Sequence, residues 1–488
     1  MNLNNALGNA TSGLTAASRL ADTISNNVSN AMTPGFGKRT TELSSLSLGG
    51  FGSGVRVSGT GRTESPFLTS ERRLMDAALG ETGTRSEAWE RMLGAMGEPG
   101  APNSLASRAT ALETTLMSAV SSPQSMAKLS EAISAANGLA ASLNGISAEN
   151  TRLRTEADGE IARQVDLVNE ALRGIDDINK KIATLNLQGV DVSGLQDERA
   201  RLIDDIAPII PVRAVNRENG QVAVYAQSGG VLLDGRVFEL QFDKAPAVVT
   251  PALTLAGGGV NPLMQDQGAV GGPVVVTTGA GPGLMDGGSL GALFETRDSI
   301  VPEFDAEIDR YAADLADRFR TLVPAGSLDG AGDGLFVAAD PGLPGLAGRI
   351  QVNAAVDPAA GGAAWRLRDG LSAAAPGAEG FGAYLQGLSD AMSEARAPAG
   401  FISQNAETGS ATMASEIGSF FGGIAARSDD DRAYLAARQS VLSEREGSAT
   451  GVNTDAELQA LMLVEQTYAA NARVLSVIDD LMQLLLRN

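Results

Sequence analysis

Both ends of this 488-residue chain carry an apolar repeat of seven, and nothing else in it so narrows what it can become. From the start, Leu3, Leu7, Ala10, Leu14, Ala17, Ala21, Ile24, Val28 and Ala31 recur at alternating spacings of four and three. That spacing lines one side of an α-helix with a coiled-coil seam. Asn, Ser, Thr and small residues fill the gaps, with Arg19 and Asp22 the only charges, and Thr33-Pro34-Gly35 stops the helix. At the other end Leu461, Val464, Tyr468, Asn471, Leu475, Ile478, Met482 and Leu485 repeat the pattern. Asn471 is its polar break, of the kind that fixes register or partner number at some cost in stability. Asp455 and Glu457 fall in the first turn of this helix and Arg487 in its last, the sense the helix dipole favours.

A single narrow stripe does not hold an isolated helix, because most helical stability comes from tertiary packing. Each end therefore packs against the other or against a neighbouring subunit, and the spacing alone allows both.

Composition removes most other functions. Lys and Arg number 37 against 58 Asp and Glu, a net charge of −21 that repels phosphate backbones and anionic lipid, so neither nucleic acid nor a membrane is an expected partner. Cysteine and histidine are both absent, which excludes thiolate and imidazole chemistry and the usual ligands of zinc, copper and haem. No cofactor, metal or enzymatic activity is expected. Residues 1–30 have no basic start followed by an apolar run, so no secretory signal is read there. A cytosolic protein and one exported without a cleaved signal both fit.

Between the ends, helix is expected over 68–97 and 103–120, separated by Glu98-Pro99-Gly100-Ala101-Pro102, and then from Pro123 to about Asn186. The last is long enough for a rod. From Val212 the period falls to two, with Asn219-Gly220 and Asp234-Gly235 as hairpin turns, and a small β domain is expected over 212–284. Helix returns at Ser289, with Leu290, Leu293, Ile300, Phe304, Ile308, Tyr311, Leu315 and Phe319 facing a core. A loop-rich excursion fills 324–384, and 401–446 reads as helix again. The expected class is α+β, predominantly α, with nested discontinuous domains: 1–40 with 453–488 as a coiled-coil domain, 41–211 with 285–452 as a helical rod, and the β domain inserted.

Three clusters invite chemistry and are set aside. Asp429-Asp430-Asp431 point in different directions on a helix and read as a solvated helix start. Asp329, Asp333 and Gly334 lack the bidentate Glu of a calcium loop. Gly279-Ala280-Gly281-Pro282-Gly283 has neither the Lys nor the Ser or Thr of a phosphate loop.

The segment from Ile24 to Phe36, with Ser25-Asn26-Asn27 and Thr33-Pro34-Gly35-Phe36, resembles the SNNxANxxTPGY signature of flagellar axial proteins. Phe36 stands in place of the commoner aromatic. Gly451-Val452-Asn453-Thr454-Asp455-Ala456-Glu457-Leu458 and Glu465-Gln466-Thr467-Tyr468-Ala469-Ala470-Asn471-Ala472-Arg473-Val474 are similar to that family's ending. Leu195-Gln196-Asp197-Glu198-Arg199 resembles the LxDxR helix of the first hook-associated proteins, a helix that hook and rod proteins lack. The resemblance spans nearly the whole chain, most loosely over 212–395.

It implies a structural subunit at the junction of hook and filament, self-assembling through its terminal helices into an inner tube. It implies as partners further copies, the hook protein, the next hook-associated protein towards the filament, and a cytosolic export chaperone on the C-terminal helix. It also implies export without a cleaved signal to the extracellular flagellum. The candidate subunit-interface residues are then Leu3, Leu7, Leu14, Ile24, Val28, Leu461, Val464, Tyr468, Asn471, Leu475, Ile478, Met482 and Leu485. Another axial protein, flagellin-like or hook-like, is the nearest alternative, and an enzyme using the acidic residues is a more distant one.

Overall fold

A computed structural model describes residues 3–48, 51–266, 272–276, 283–340, 342–402 and 407–486. Along the chain come α1 (Leu3–Ser29), a hairpin of β1 (Arg39–Leu48) and β2 (Phe51–Arg62), α2 (Pro66–Met96), α3 (Leu105–Ser121), α4 (Met126–Leu187) and α5 (Ser193–Ile206). Short strands follow: β3 (Val212–Asn216), β4 (Val222–Ala226), β5 (Val231–Leu233), β6 (Leu240–Gln241), β7 (Met264–Asp266) and β8 (Pro273–Val275). Then come α6 (Gly288–Glu295), α7 (Val301–Thr321), β9 (Phe336–Ala338), β10 (Ile350–Val352), α8 (Arg366–Asp369), α9 (Ala383–Ser393), α10 (Ser410–Thr450) and α11 (Thr454–Leu486). Helix dominates, and the described sheets are small and antiparallel, so the class is α+β, predominantly α.

The chain divides into two compact units, one of Met1–Leu79, Leu167–Glu239 and Leu435–Asn488, the other of Gly80–Asp166 and Leu240–Tyr434. The division falls inside α2, α4 and α10. The strand-rich stretch 212–284 holds two separate three-stranded sheets, β3-β4-β5 in the first unit and β6-β7-β8 in the second.

In the first unit α1 packs on α11 and on β2. The β1–β2 hairpin has no apolar alternation to announce it, and two irregularities interrupt its register, at Glu42/Leu43 and Ser45/Ser47. It lies close on α1: Gly54 has φ +104°, and a Cβ there would stand 2.1 Å from Ser12 Oγ. Only glycine fits that approach. The turn from β3 to β4 has Asn219 and Gly220 at φ 57° and 76°, the paired left-handed residues an Asn-Gly hairpin needs. The end of α4 packs Ile178 and Ile182 against Val192, with Leu195 and Leu202 of α5 alongside.

The second unit holds the larger core. Trp89, Met92, Leu112, Leu116, Leu139, Leu143, Phe304, Ile308, Phe319 and Ile417 are buried together. Phe421 lies between Trp89 and Phe304, its ring centroid 5.6 Å and 4.9 Å from theirs. A π-helical turn over Thr296–Ile300 joins α6 to α7 just before Pro302, which has no N–H to continue the α ladder. Arg297 is wholly buried there, bonded to Asp158 and Asp298, both at 2.7 Å, and to Asn261 O at 3.1 Å.

Asp429-Asp430-Asp431 do not start a helix, which corrects that expectation; they lie exposed well inside α10. The helix begins earlier because Met413, Ile417 and Phe421 bury its first turns and carry it through Gly422-Gly423. Asp329 is a turn residue, accepting from the amides of Ala331 and Asp333 and from Asn353 Nδ2 at 2.8–2.9 Å. Of Gly279-Ala280-Gly281-Pro282-Gly283, all but the last lies outside the described residues.

Candidate assembly interface

α1 and α11 run antiparallel with the predicted seams between them. On α1, Ile24 is buried with Ala10 and Ala17, while Leu7, Leu14 and Val28 are half-buried; on α11, Ile478 is buried and Leu461, Val464, Asn471 and Leu475 are half-buried. Tyr468 and Met482 stay 49% and 41% exposed. The side chains of Leu3 and Leu485 lie outside those described. A Cβ on Gly13 would stand 2.8 Å from Asn471 Nδ2. The polar break in one seam thus rests on a residue next to Leu14 of the other seam, one that has no side chain.

Beyond the seams, residues from three distant segments close on one another around Asn27. This side chain, 1% exposed, accepts from the backbone N–H of Arg39 at 2.8 Å and donates to the carbonyl of the same residue at 2.9 Å. Its amide also donates to Glu457 Oε2 at 3.1 Å. Glu457, buried in the first turn of α11, pairs through Oε1 with Lys38 Nζ at 2.7 Å. Lys38 N–H donates to Thr450 O at 2.9 Å, and Asn453 caps α11 by accepting from Ala456 N–H at 3.0 Å.

From the third segment, Asp197 of α5 receives Arg39, Arg62 Nε at 2.7 Å and Gly37 N–H at 3.3 Å. The two arginines stand opposite each other at the open end of the hairpin. Burial works against the Arg62 charge, but Glu64 and Asp197 outweigh it and hold its pKa above the ordinary value. Two positions further on, Arg199 Nη1 donates to Asn179 Oδ1 at 2.9 Å and Gly220 O at 2.7 Å. Asn179 in turn bonds the N–H and C=O of Val222, as Asn27 does those of Arg39. Each buried asparagine supplies from a helix the two bonds that a further strand would have supplied.

The sequence reading missed one feature. Leu463, Val474, Val477, Leu481 and Leu484 are 65%, 46%, 57%, 45% and 62% exposed. With Thr467 and Ala470 they form a second four-three series on α11, about a third of a turn round from the first. Its seven-residue recurrence is legible in the sequence, each member one position before a member of the first stripe.

Terminal helices paired antiparallel and signature segments knotted at their base accord with the resemblance to flagellar axial proteins. Comparison with known proteins agrees. The model of the flagella basal body rod protein matches residues 7–36, and that of the C-terminal part of the flagellar basal body rod FlgEFG proteins matches 448–488. The model described as the flagellar hook-associated protein FlgK helical domain matches residues 90–336, about half of the chain, and the chain belongs to that family.

The chain is 25% identical over 349 residues to flagellar hook-associated protein 1 of Escherichia coli (strain K12), covering 69% of this chain and 60% of that protein. To the protein of the same name in Salmonella typhimurium it is 26% identical over 328 residues, covering 64% and 55%; to that of Bacillus subtilis, 25% over 260, covering 48% and 51%. The chain thus spans 60% or less of these curated relatives. A solved flagellar hook junction protein FlgK from Burkholderia pseudomallei aligns with TM-score 0.45 and 18% identity over 55% of this chain and 47% of that one.

Proposed function

We propose that this chain is a structural, non-enzymatic subunit of the bacterial flagellum that joins hook to filament. The observation that carries the proposal is the second apolar seam of α11, left uncovered after the first is used on α1. A regular apolar stripe of this kind is an interaction surface. The names of the relatives, and the rod-protein models matching both ends, support the flagellar axis as its setting.

On this reading residues 1–40 with 453–488 are the assembling domain. The seam from Leu7 to Val28 and from Leu461 to Met482 sets its shape, and the second seam meets other subunits. Those are further copies, the hook protein on one side and the next hook-associated protein on the other. An export chaperone covers the stripe in the cytosol, and the chain leaves without a cleaved signal for the extracellular junction. Nucleic acid, membrane, metal and cofactor have no part.

A strain lacking the chain should bear complete hooks without filaments and shed filament protein into the medium. Labelled antibody should mark the hook–filament joint of isolated flagella. Missing hooks or bare motor bases would instead select a rod or hook role, the second reading favoured by the rod-protein models at both ends. Deleting 455–488 should abolish chaperone capture; capture that survives the deletion rejects that part.

A further inference from the structure

A cavity of about 400 Å³ in the first unit is lined by five arginines, Arg62, Arg72, Arg73, Arg199 and Arg217, and three carboxylates, Glu64, Asp204 and Glu446. The three carboxylates are all engaged. Glu64 is bound by Arg62 at 2.9 Å, Asp204 by Arg72 and Arg73 at 2.8 and 2.7 Å, and Glu446 by Arg72 and Thr69. Arg62, Arg72 and Arg217 have further carboxylates outside the lining, Asp197 at 2.7 Å, Asp76 at 2.7 Å and Asp234 at 2.8 Å.

Arg199 is the exception among the five arginines of the cavity. It is 8% exposed, and its hydrogen-bond partners are two neutral oxygens, Asn179 Oδ1 and Gly220 O, both reached through Nη1. Burial lowers its pKa to about 10, with Glu64 opposing and Arg62 adding to the fall. The group is still cationic at neutral pH. A buried charge without a direct ion pair is costly, and a planar guanidinium is best satisfied by the two oxygens of a carboxylate or phosphate. The empty volume beside it is large enough for a small anion and too small for a folded segment.

We propose that this cavity is an oxyanion site, with Arg199 as the counter-charge and a carboxylate or phosphate group as ligand. The anion is either a free one from solution or an acidic side chain of a second copy.

The test uses the full chain, dispersed and assembled. Acetate and inorganic phosphate are titrated at constant ionic strength against chloride. At about tenfold excess over the apparent dissociation constant, the thermal midpoint should rise by roughly 1–2 °C above the chloride control. Arg199→Gln should abolish the rise and Arg199→Lys keep part of it. Arg201→Gln, on the same helix but exposed and outside the cavity, should leave it unchanged. The Lys variant separates loss of the anion from loss of the contact to Gly220. If the dispersed chain does not respond, the reactivity of Arg199 towards phenylglyoxal decides. Protection on assembly assigns the site to a neighbouring carboxylate. Equal reactivity in both states, or an anion response that survives Arg199→Gln, overturns the proposal.

Discussion

Replacing Asn27 with alanine tests whether the knot, and not the seams alone, holds the ends of the chain together. Its side chain makes three hydrogen bonds. Arg39 stands opposite Arg62 in the hairpin, where the ladder bond is made one residue away, from Thr63 N–H to Lys38 O. Its own N–H and C=O therefore turn to Asn27. In Asn27→Ala both lose their partner while Arg39 stays buried, 8% exposed. Each stranded buried group costs about 1–3 kcal/mol, so the variant should lose roughly 3–4 kcal/mol from the terminal part of the first unit. Glu457 adds little, since Lys38 still pairs with it at 2.7 Å.

Amide hydrogen exchange reads this locally. A loss of about 3 kcal/mol is a factor of about 100 in the opening equilibrium, so amides of β1, the end of α1 and the first turns of α11 should exchange about 100-fold faster. The core around Trp89 and Phe304 should keep its rates. Asn27→Asp should be worse at neutral pH, because it sets a carboxylate against Arg39 O and Glu457 Oε2, and milder under acid. If exchange at α11 stayed within about threefold of wild type in both variants, the knot would not be what orders the termini.

Three further outcomes follow from the same structure. Asp197→Asn removes the carboxylate shared by Arg39 and Arg62 and should cost about 2–4 kcal/mol in urea unfolding, less if the amide keeps Gly37 N–H. Burial, with Asp309 adding and the Asn150 hydrogen bond and Arg154 opposing, pushes the Asp305 carboxyl up to about 7; Asp305 Oδ2 and Asn150 Oδ1 have no partners among the described residues, and a proton on the acid supplies the missing donor. A raised folded pKa gives stability that is complete below the unfolded value and lost as pH rises through the folded one. Wild type should therefore lose about 1.4 kcal/mol more than Asp305→Asn between about pH 6 and pH 8, and parallel urea curves refute it. Val477→Glu, at a site 57% exposed, should change folding by less than about 0.5 kcal/mol yet abolish polymerisation followed by light scattering.

What could be read from the sequence is what repeats. The seams of α1 and α11 announce themselves because burial on one side of a helix imposes a period, and the Asn219-Gly220 turn because few residue pairs adopt its backbone. The β1–β2 hairpin stayed hidden: its Ser, Thr and Gly spell no alternation, and α1 holds it through Ser12 Oγ on Val55 N–H and a close approach at Gly54. Asn27 is hidden for another reason: an asparagine near a helix end carries no sign of burial, whereas this one is buried against Arg39 and against Glu457, 430 positions away. No local pattern encodes a contact of that span.

The segments that carried the family resemblance did so without a physical reason being visible in them. Their central residues, Asn27, Asp197, Arg199 and Glu457, turn out to bond backbone or charge across distant parts of one unit. A seam position needs only an apolar side chain of fitting size, and leucine, valine, isoleucine and methionine serve nearly alike. A knot position needs a particular set of donors and acceptors at a particular place, and the nearest substitute leaves a buried group unpaired. On the proposed function, family likeness and assembly are therefore written in different residues: polar ones that join the termini into one element, and the apolar series from Leu463 to Leu484 that α11 leaves exposed.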